Sequence, residues 1–232
     1  MAPYLAPMTL IASSRVGLLT LLPLLVPVQA TAHPHIFVDA GLTLIHDSKG
    51  RVTDIEVRLH YDELFSLLLL EDMGLDPDYD GVLTADENET IVGFDLYWPE
   101  GFEGDVYIEA GGAPVPLGPP EAGDARLEES GQLYGAHRRK LARPVDPSEG
   151  VVIKVYDPTF YTAYSIVVAD VQSTAGCGVP VFTPDLDEAY GQLAEALAEL
   201  GAEVGDPWEM IDFPPVGDRF AEEVRLDCGS SG

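Results

Sequence analysis

Twelve consecutive residues, Asp76 to Glu87, constrain the fold of this chain more than any other stretch. They read D-P-D-Y-D-G-V-L-T-A-D-E, with aspartate at loop positions one, three and five, glycine at six, threonine at nine and glutamate at twelve. This is the spacing of an EF-hand calcium loop, in which oxygen ligands surround the ion and the glycine allows a sharp turn. The sequence therefore predicts one helix entering the loop and another leaving it.

The predicted calcium ligands are oxygen atoms of Asp76, Asp78, Asp80, Val82, Thr84 and Glu87. Val82 would offer its carbonyl, Thr84 would act directly or through water, and Glu87 can hold the ion with both carboxylate oxygens. A solvated acidic loop is the alternative, because 40 acidic residues against 12 Lys and Arg give a formal net charge of -28. That charge also excludes nucleic acid as an expected partner.

Residues 1–32 are predicted to be an export signal. Arg15 is their only charge, an apolar run follows from Val16 to Val28, and Ala30-Thr31-Ala32 forms a small-residue cleavage site. A retained membrane anchor is the alternative, but the run is short for a membrane span and is broken by prolines. Cleavage after Ala32 would place the protein in the periplasm, without stable membrane insertion, and make His33 its amino terminus.

The remainder, 33–232, is predicted to be a single β-rich domain with an EF-hand-like insertion at about 61–94. A hairpin leads to Tyr61, an apolar helix runs from Tyr61 to Leu75, and a short helix follows the calcium loop. The expected architecture is mostly antiparallel β, sandwich-like, with one late helix whose apolar face includes Leu193 and Leu200. A mixed α+β arrangement is the alternative. Further strands are expected at Phe94–Trp98, Asp105–Glu109, Leu133–Leu141, Val151–Tyr156, Tyr164–Val168, Val179–Phe182 and Phe220–Leu226.

Two other features bear on the domain. The Gly- and Pro-rich stretch Gly111–Gly123 is expected to be a long surface connection. Cys177 and Cys228 are the only cysteines, and an oxidising compartment favours a disulfide bond between them. That bond would close a loop of about 50 residues and contribute at most about 4 kcal/mol on the chain-entropy model.

A second metal site is expected at the mature amino terminus, where His33, Pro34 and His35 follow one another. Pro34 has no amide hydrogen to lose, so the two histidines would bind a transition metal through their imidazoles. Asp39 shares the strand face of His35, and Asp157 lies where a later strand meets a turn; both are candidate acidic ligands. Two exposed histidines on a frayed terminus, and a plain turn aspartate, are the alternatives.

No nucleophile elbow, phosphate loop, dinucleotide fingerprint or zincin helix is present, so we do not expect an enzyme. The remaining histidines, His46, His60 and His137, lack ligand spacing and are expected at the surface.

The chain resembles a family of exported bacterial proteins of unknown function, often labelled the periplasmic component of an uncharacterised ABC-type transport system. The likeness rests on His33-Pro34-His35, on Tyr61-Asp62-Glu63, on Tyr156-Asp157-Pro158 and on the Cys177 and Cys228 segments. It implies a partnership with an inner-membrane permease of the nickel/cobalt type, in zinc, nickel or cobalt handling. The family's histidines map onto His33 and His35, and its Tyr-Asp-Pro motif onto Asp157.

The expected function is therefore that of a periplasmic accessory protein that captures zinc, nickel or cobalt for a membrane permease and holds structural Ca²⁺. A calcium-dependent interaction or adhesion module would need only the loop. A copper enzyme with an amino-terminal histidine site is the third alternative.

Overall fold

The computed structural model describes residues 34–99, 101–199 and 215–229. All of them fall within one compact unit, Ala32–Gly232. The predicted export signal, His33 and Leu200 lie outside the described residues. Within those ranges, no helix is both long enough and apolar enough to cross a membrane.

The strands among the described residues form two five-stranded sheets. The first contains β1 (Ile36–His46), β2 (Val52–Tyr61), β5 (Leu117–Leu127), β6 (Leu133–Val145) and β8 (Thr162–Ser173), in the order β5-β6-β2-β1-β8. The second contains β3 (Val106–Ala110), β4 (Ala113–Pro114), β7 (Val151–Val155), β9 (Val181–Phe182) and β10 (Glu223–Arg225), in the order β4-β3-β7-β10-β9. The helices are α1 (Glu63–Met73), α2 (Ala85–Thr90) and α3 (Leu186–Glu199).

One hydrophobic core receives side chains from both sheets. Ile55 and Val57 of β2 are fully buried, and Ile108, Ile153 and Val224 reach the same core from the second sheet. The alternation of buried and half-buried residues along β2 explains this, because successive side chains of a strand point to opposite faces. The predicted sandwich-like, mostly β fold is confirmed.

Among the described strand pairs, only β1 and β8 run parallel. Ile36 lies opposite Thr162 and Leu44 opposite Ser173, with a register shift between Ala40 and Leu42. The two strands therefore begin side by side and end side by side. The residues that precede β1 therefore lie next to those that precede β8, and the residues that follow β1 lie next to those that follow β8.

The first hairpin and the apolar helix are where the sequence predicts them, whereas two expectations for the middle of the chain are wrong. Gly111–Gly123 is not a surface connection, since it contains β4 and the first half of β5. As an edge strand that pairs with β6 alone, β5 can tolerate its prolines. Phe94–Trp98 is not a strand, because hydrogen-bonded turns follow α2, from Phe94 N–H to Ile91 O and from Leu96 N–H to Gly93 O.

The predicted disulfide joins Cys177, which follows β8, to Cys228, which follows β10. Its neighbours Gly178 and Asp227 form an isolated antiparallel bridge. The late helix α3 packs through Ala189 and Leu193 onto a smaller core that contains Phe160, Val216 and Phe220.

Removing two methyl groups from the centre of the first sheet tests this core. Val57→Ala should lower the free energy of unfolding by about 2 to 3 kcal/mol, because buried apolar surface is lost and a cavity remains. Val168→Ala is the matched control, since Val168 of β8 is 65% exposed; it should change stability by no more than about 0.5 kcal/mol. Chemical denaturation measures both, and equal effects would contradict the assigned burial.

Candidate metal sites

The acidic loop lies between α1 and α2, as the sequence predicts. Helix α1 is capped by Gly74, which has a left-handed backbone conformation and whose N–H donates to the carbonyls of Leu70 and Glu71. Leu83 in the loop and Ile91 after α2 are both buried in the main core. These two apolar residues anchor the loop in the core that both sheets share.

The structure brings the three loop aspartates together. One carboxylate oxygen from each of Asp76, Asp78 and Asp80 lies within 4.8 Å of the others. Asp76 is buried, and its carboxylate accepts the N–H groups of Asp80 at 3.1 Å and Gly81 at 3.2 Å. Gly81 has a φ of +76°, which permits the turn that folds the loop over Asp76.

The twelfth loop residue reaches back to the first. Glu87 Oε1 accepts the N–H of Asp76 at 3.1 Å, whereas Oε2 accepts the N–H and the hydroxyl of Thr84 at 2.8 and 2.7 Å. Thr84 and Glu87 also form a capping box at the start of α2. The hydroxyl and N–H of Thr84, which donate to the carboxylate, hold the pKa of Glu87 below its usual value. Val82 contributes its N–H to Asp80 Oδ1 at 2.8 Å.

The second predicted site is described only in part, because His33 lies outside the described residues. His35 is exposed; its N–H donates to Tyr161 O at 2.9 Å, and its ring centroid is 4.9 Å from that of Tyr161. Asp157 Oδ2 accepts the N–H of Thr162, the residue opposite Ile36. The parallel pairing of β1 and β8 therefore places His35 and the Asp157 turn at the same end of the sheet.

The two candidate acids differ in their placement. Asp157 begins a turn fixed by bonds from the N–H and hydroxyl of Thr159, both 2.8 Å from Oδ1, and by Phe160, which stacks on Phe220. Asp39 is exposed on β1, on the face of His35, but a strand rise of about 3.3 Å per residue puts their Cα atoms about 13 Å apart. Within the described ranges, no group of three metal-ligating side chains includes His35.

The histidines expected at the surface behave differently from one another. His137 of β6 is only 2% exposed, so that expectation is wrong for it; burial, with a smaller effect of Arg139, lowers its pKa to about 4. His60 is half-buried, with Nδ1 2.9 Å from Glu128 Oε2. His46 is also half-buried, and burial lowers its pKa. Its ring lies beside the disulfide, where it and both cysteine sulfurs offer ligand atoms within 4.8 Å of one another.

A buried acid near Asp157 escaped the sequence prediction. Asp105, just before β3, is 6% exposed, and its Oδ2 accepts the hydroxyl of Tyr164 at 2.9 Å across the two sheets. Burial, with a smaller repulsion from Asp157, raises its pKa to about 7. A comparable contact joins the Tyr61 hydroxyl to Asp95 Oδ2 at 3.0 Å, and burial raises the pKa of Asp95. The only local feature of the sequence that could have drawn attention to Asp105 is the Gly104-Asp105 pair, which is typical of a turn. In the structure both residues have positive φ.

Asp105 should impose a pH dependence on stability. Between about pH 4 and the folded-state pKa of about 7, the folded chain holds a proton that the unfolded chain has released, so stability falls as pH rises. Asp105→Asn keeps the acceptor for Tyr164 and tolerates positive φ. We expect its stability relative to wild type to rise from about pH 5 to about pH 8, by at most about 3 kcal/mol.

Thermal or urea unfolding across this pH range measures the difference. Asp124→Asn is the control, because Asp124 is an exposed acid whose removal should leave the pH slope unchanged. If stability changed with pH as steeply in Asp105→Asn as in wild type, Asp105 could not be the source of the pH dependence.

Of three comparisons with known proteins, only the comparison with family models assigns the chain to a group. A search of curated proteins finds no match. Among solved structures, the acetylcholine-binding protein type 1 (BgAChBP1) of Biomphalaria glabrata matches with 9% identity, over 88% of this chain and 90% of that one, at a TM-score of 0.34. A likeness this weak supports no conclusion about function. The model of a family described as "Protein of unknown function (DUF1007)" matches residues 18–228, so the chain belongs to the DUF1007 family.

Proposed function

We propose that this protein is an exported metal-binding accessory that captures a divalent transition-metal ion for a membrane permease and holds a structural calcium ion. The observation that carries the metal-binding part is the gathering of Asp76, Asp78 and Asp80 in a loop whose ends are joined by Glu87. Capture of zinc, nickel or cobalt at His33 and His35 is the second part, and delivery to a permease of the nickel/cobalt type follows from the family resemblance.

Calcium suits the loop in both charge and size. Two oxygens bound to one calcium at 2.3–2.6 Å are at most about 5 Å apart, and the aspartate oxygens lie within 4.8 Å of one another. In the described part of the chain, no salt bridge pairs any of these three carboxylates with a basic side chain. Their mutual repulsion favours the binding of a cation.

Calcium should stabilise the folded protein. For an affinity typical of extracellular modules, about 0.1 to 1 mM, about 10 mM calcium adds roughly 1.5 to 3 kcal/mol and raises Tm by about 3 to 10 °C. Glu87→Gln should reduce this rise, because the amide is a weaker calcium ligand although it can still serve in the capping box. Differential scanning calorimetry with calcium or with chelator measures the effect.

The matched control is Asp86→Asn, which removes a neighbouring carboxylate at loop position eleven, outside the ligand positions. It should keep most of the calcium-induced rise in Tm. A wild-type melting curve that calcium leaves unmoved would refute the calcium site.

The transition-metal site would lie at the end of the sheet where β1 and β8 begin. His35 is exposed there, beside the turn that holds Asp157. Imidazole suits zinc, nickel and cobalt, whereas the oxygen-only loop suits calcium, so one chain can hold both ions at separate sites. Asp157 is the better placed acid, because Asp39 lies four residues farther along β1. Three ligands of this kind, with an open coordination position, suit an ion that must later be released.

Removing one imidazole should weaken zinc binding selectively. In calcium-saturated, disulfide-bonded protein, His35→Ala should bind zinc at least about 10-fold more weakly than wild type, since an ion held by few ligands loses one of them. Zinc affinity should also fall on acidification, because protons compete for imidazole nitrogens. Isothermal titration calorimetry with zinc and with nickel measures both effects.

Two further variants sharpen this test. His60→Ala removes an imidazole outside the proposed site and should bind zinc as wild type does. A variant with one extra residue before His33 separates the imidazoles from the terminal amine, and unchanged binding in it would assign the site to the imidazoles alone. Equal zinc affinity in wild type and His35→Ala would refute the proposed zinc site.

A calcium-dependent interaction module is the second candidate function. The observation that favours it is the exposure of three leucines on the helix that enters the loop: Leu64, Leu67 and Leu68 are 66%, 47% and 54% exposed. Such an apolar surface beside a calcium site is typical of partner binding. The zinc titration separates the two functions, because an interaction module of this kind would bind calcium without the histidine-dependent zinc site.

A further inference from the structure

His46, Cys177 and Cys228 form a cluster of metal-ligating side chains that neither proposed site uses. One ligand atom of each lies within 4.8 Å of the other two. Cys177 follows β8, Cys228 follows β10 and His46 ends β1, so three separate segments contribute. As long as the disulfide is intact, both sulfurs are bonded to each other and are unsuited to hold a metal ion.

The imidazole of His46 is already oriented for a ligand. Its Nε2 is buried and has no hydrogen-bond partner among the described residues. Its Nδ1 lies 3.4 Å from Thr174 Oγ1, which also accepts the backbone N–H of His46 at 3.0 Å. A proton on Nδ1, directed at Thr174, leaves the lone pair of Nε2 free. This resembles the arrangement of metal-binding histidines, whose second nitrogen donates to a nearby oxygen.

The backbone around the two cysteines is paired independently of the disulfide. Gly178 N–H donates to Asp227 O at 2.7 Å, and Asp227 N–H donates to Gly178 O at 2.8 Å. Each of these residues is the immediate neighbour of a cysteine, and the Cα atoms of the cysteines are 4.3 Å apart. Pairing of β9 with β10 extends the same antiparallel ladder. The two sulfurs should therefore remain close to each other and to His46 after the S–S bond is broken.

We propose that reduction of the Cys177–Cys228 disulfide converts this cluster into a zinc site with His46 Nε2 and two thiolates as ligands. A dithiol reductant supplies two electrons and two protons, so the S–S bond breaks, two thiols form and the reductant becomes a disulfide. Zinc then displaces both thiol protons to water as its two bonds to sulfur form. The same three residues thus hold either a disulfide or a metal ion.

The dimensions and the ligand types fit zinc. In a tetrahedral site, bonds of about 2.3 Å to sulfur and about 2.0 Å to nitrogen place the ligand atoms about 3.5 to 3.8 Å apart. The present separations are all within 4.8 Å, so side-chain rotations that move the sulfurs apart and adjust their distances to His46 Nε2 by about 1 Å reach this geometry. Two thiolates and one imidazole leave the fourth position open, and they favour zinc over the oxygen-seeking calcium ion.

Cobalt(II) is a direct probe, since thiolate coordination gives it strong near-ultraviolet charge-transfer absorption. The full mature chain, calcium-saturated, is compared in two states: disulfide-bonded, and reduced with dithiothreitol and then freed of it without oxygen. The reduced protein should show the thiolate band, saturating at one equivalent of cobalt, and zinc should displace it. The disulfide-bonded protein should show no such band, whatever its histidine sites bind.

His46→Gln tests the imidazole, because glutamine can still bond to Thr174 but offers no imidazole nitrogen. It should weaken cobalt binding by the reduced protein at least about 10-fold. His60→Gln is the same substitution at a histidine outside the cluster and should leave binding unchanged.

The proposal would be overturned by the absence of a thiolate band in reduced wild type, or by equal cobalt affinity in His46→Gln and wild type. Loss of the folded circular-dichroism spectrum on reduction would also overturn it, because the Gly178–Asp227 bridge must keep the sulfurs in place. None of these results depends on the calcium loop or on His35.

Discussion

The parallel pairing of β1 with β8 is the interaction on which the surroundings of His35 and His46, the histidines of the two proposed transition-metal sites, depend. Because the two strands begin together, His35 lies beside the turn that holds Asp157. Because they also end together, Thr174 N–H bonds to Leu44 O and the Thr174 hydroxyl lies against His46, two residues from the end of the same pairing. An antiparallel pair would have exchanged these neighbours. One backbone ladder thus sets the surroundings of both imidazoles.

The conformation of the acidic loop depends on a different balance, between the burial of apolar side chains and the repulsion between carboxylates. Leu83 and Ile91 anchor the loop in the main core, and hydrogen bonds to Asp76 and Glu87 close it. The repulsion between three carboxylates opposes this closure, since their oxygens lie within 4.8 Å of one another in a chain of formal net charge -28. The calcium ion that we propose would relieve this repulsion between the three carboxylates. The proposed ion would therefore stabilise the same segment that the hydrophobic contacts position.

Periodicity and spacing were enough to predict the local elements, whereas long-range pairing was not readable from them. Alternation along β2 and the apolar run of α1 gave their positions, and the twelve-residue spacing identified the loop. The prolines of β5 suggested a connection, since nothing local shows that a strand lies at a sheet edge. The burial of His137 and Asp105 depends on packing between elements distant in sequence. For the same reason, nothing in the sequence indicated that His46 would meet the disulfide.

The most direct test of the account is the metal content of the protein purified from its own cells in chelator-free buffers. Plasma emission spectrometry on the intact mature chain would count each element per polypeptide. We expect about one bound calcium ion per chain in protein equilibrated with about 10 mM calcium, retained by Asp86→Asn and reduced in Glu87→Gln, together with zinc, nickel or cobalt that is reduced in His35→Ala. Protein that carries neither calcium nor a transition metal, and that takes up neither on dialysis, would contradict it.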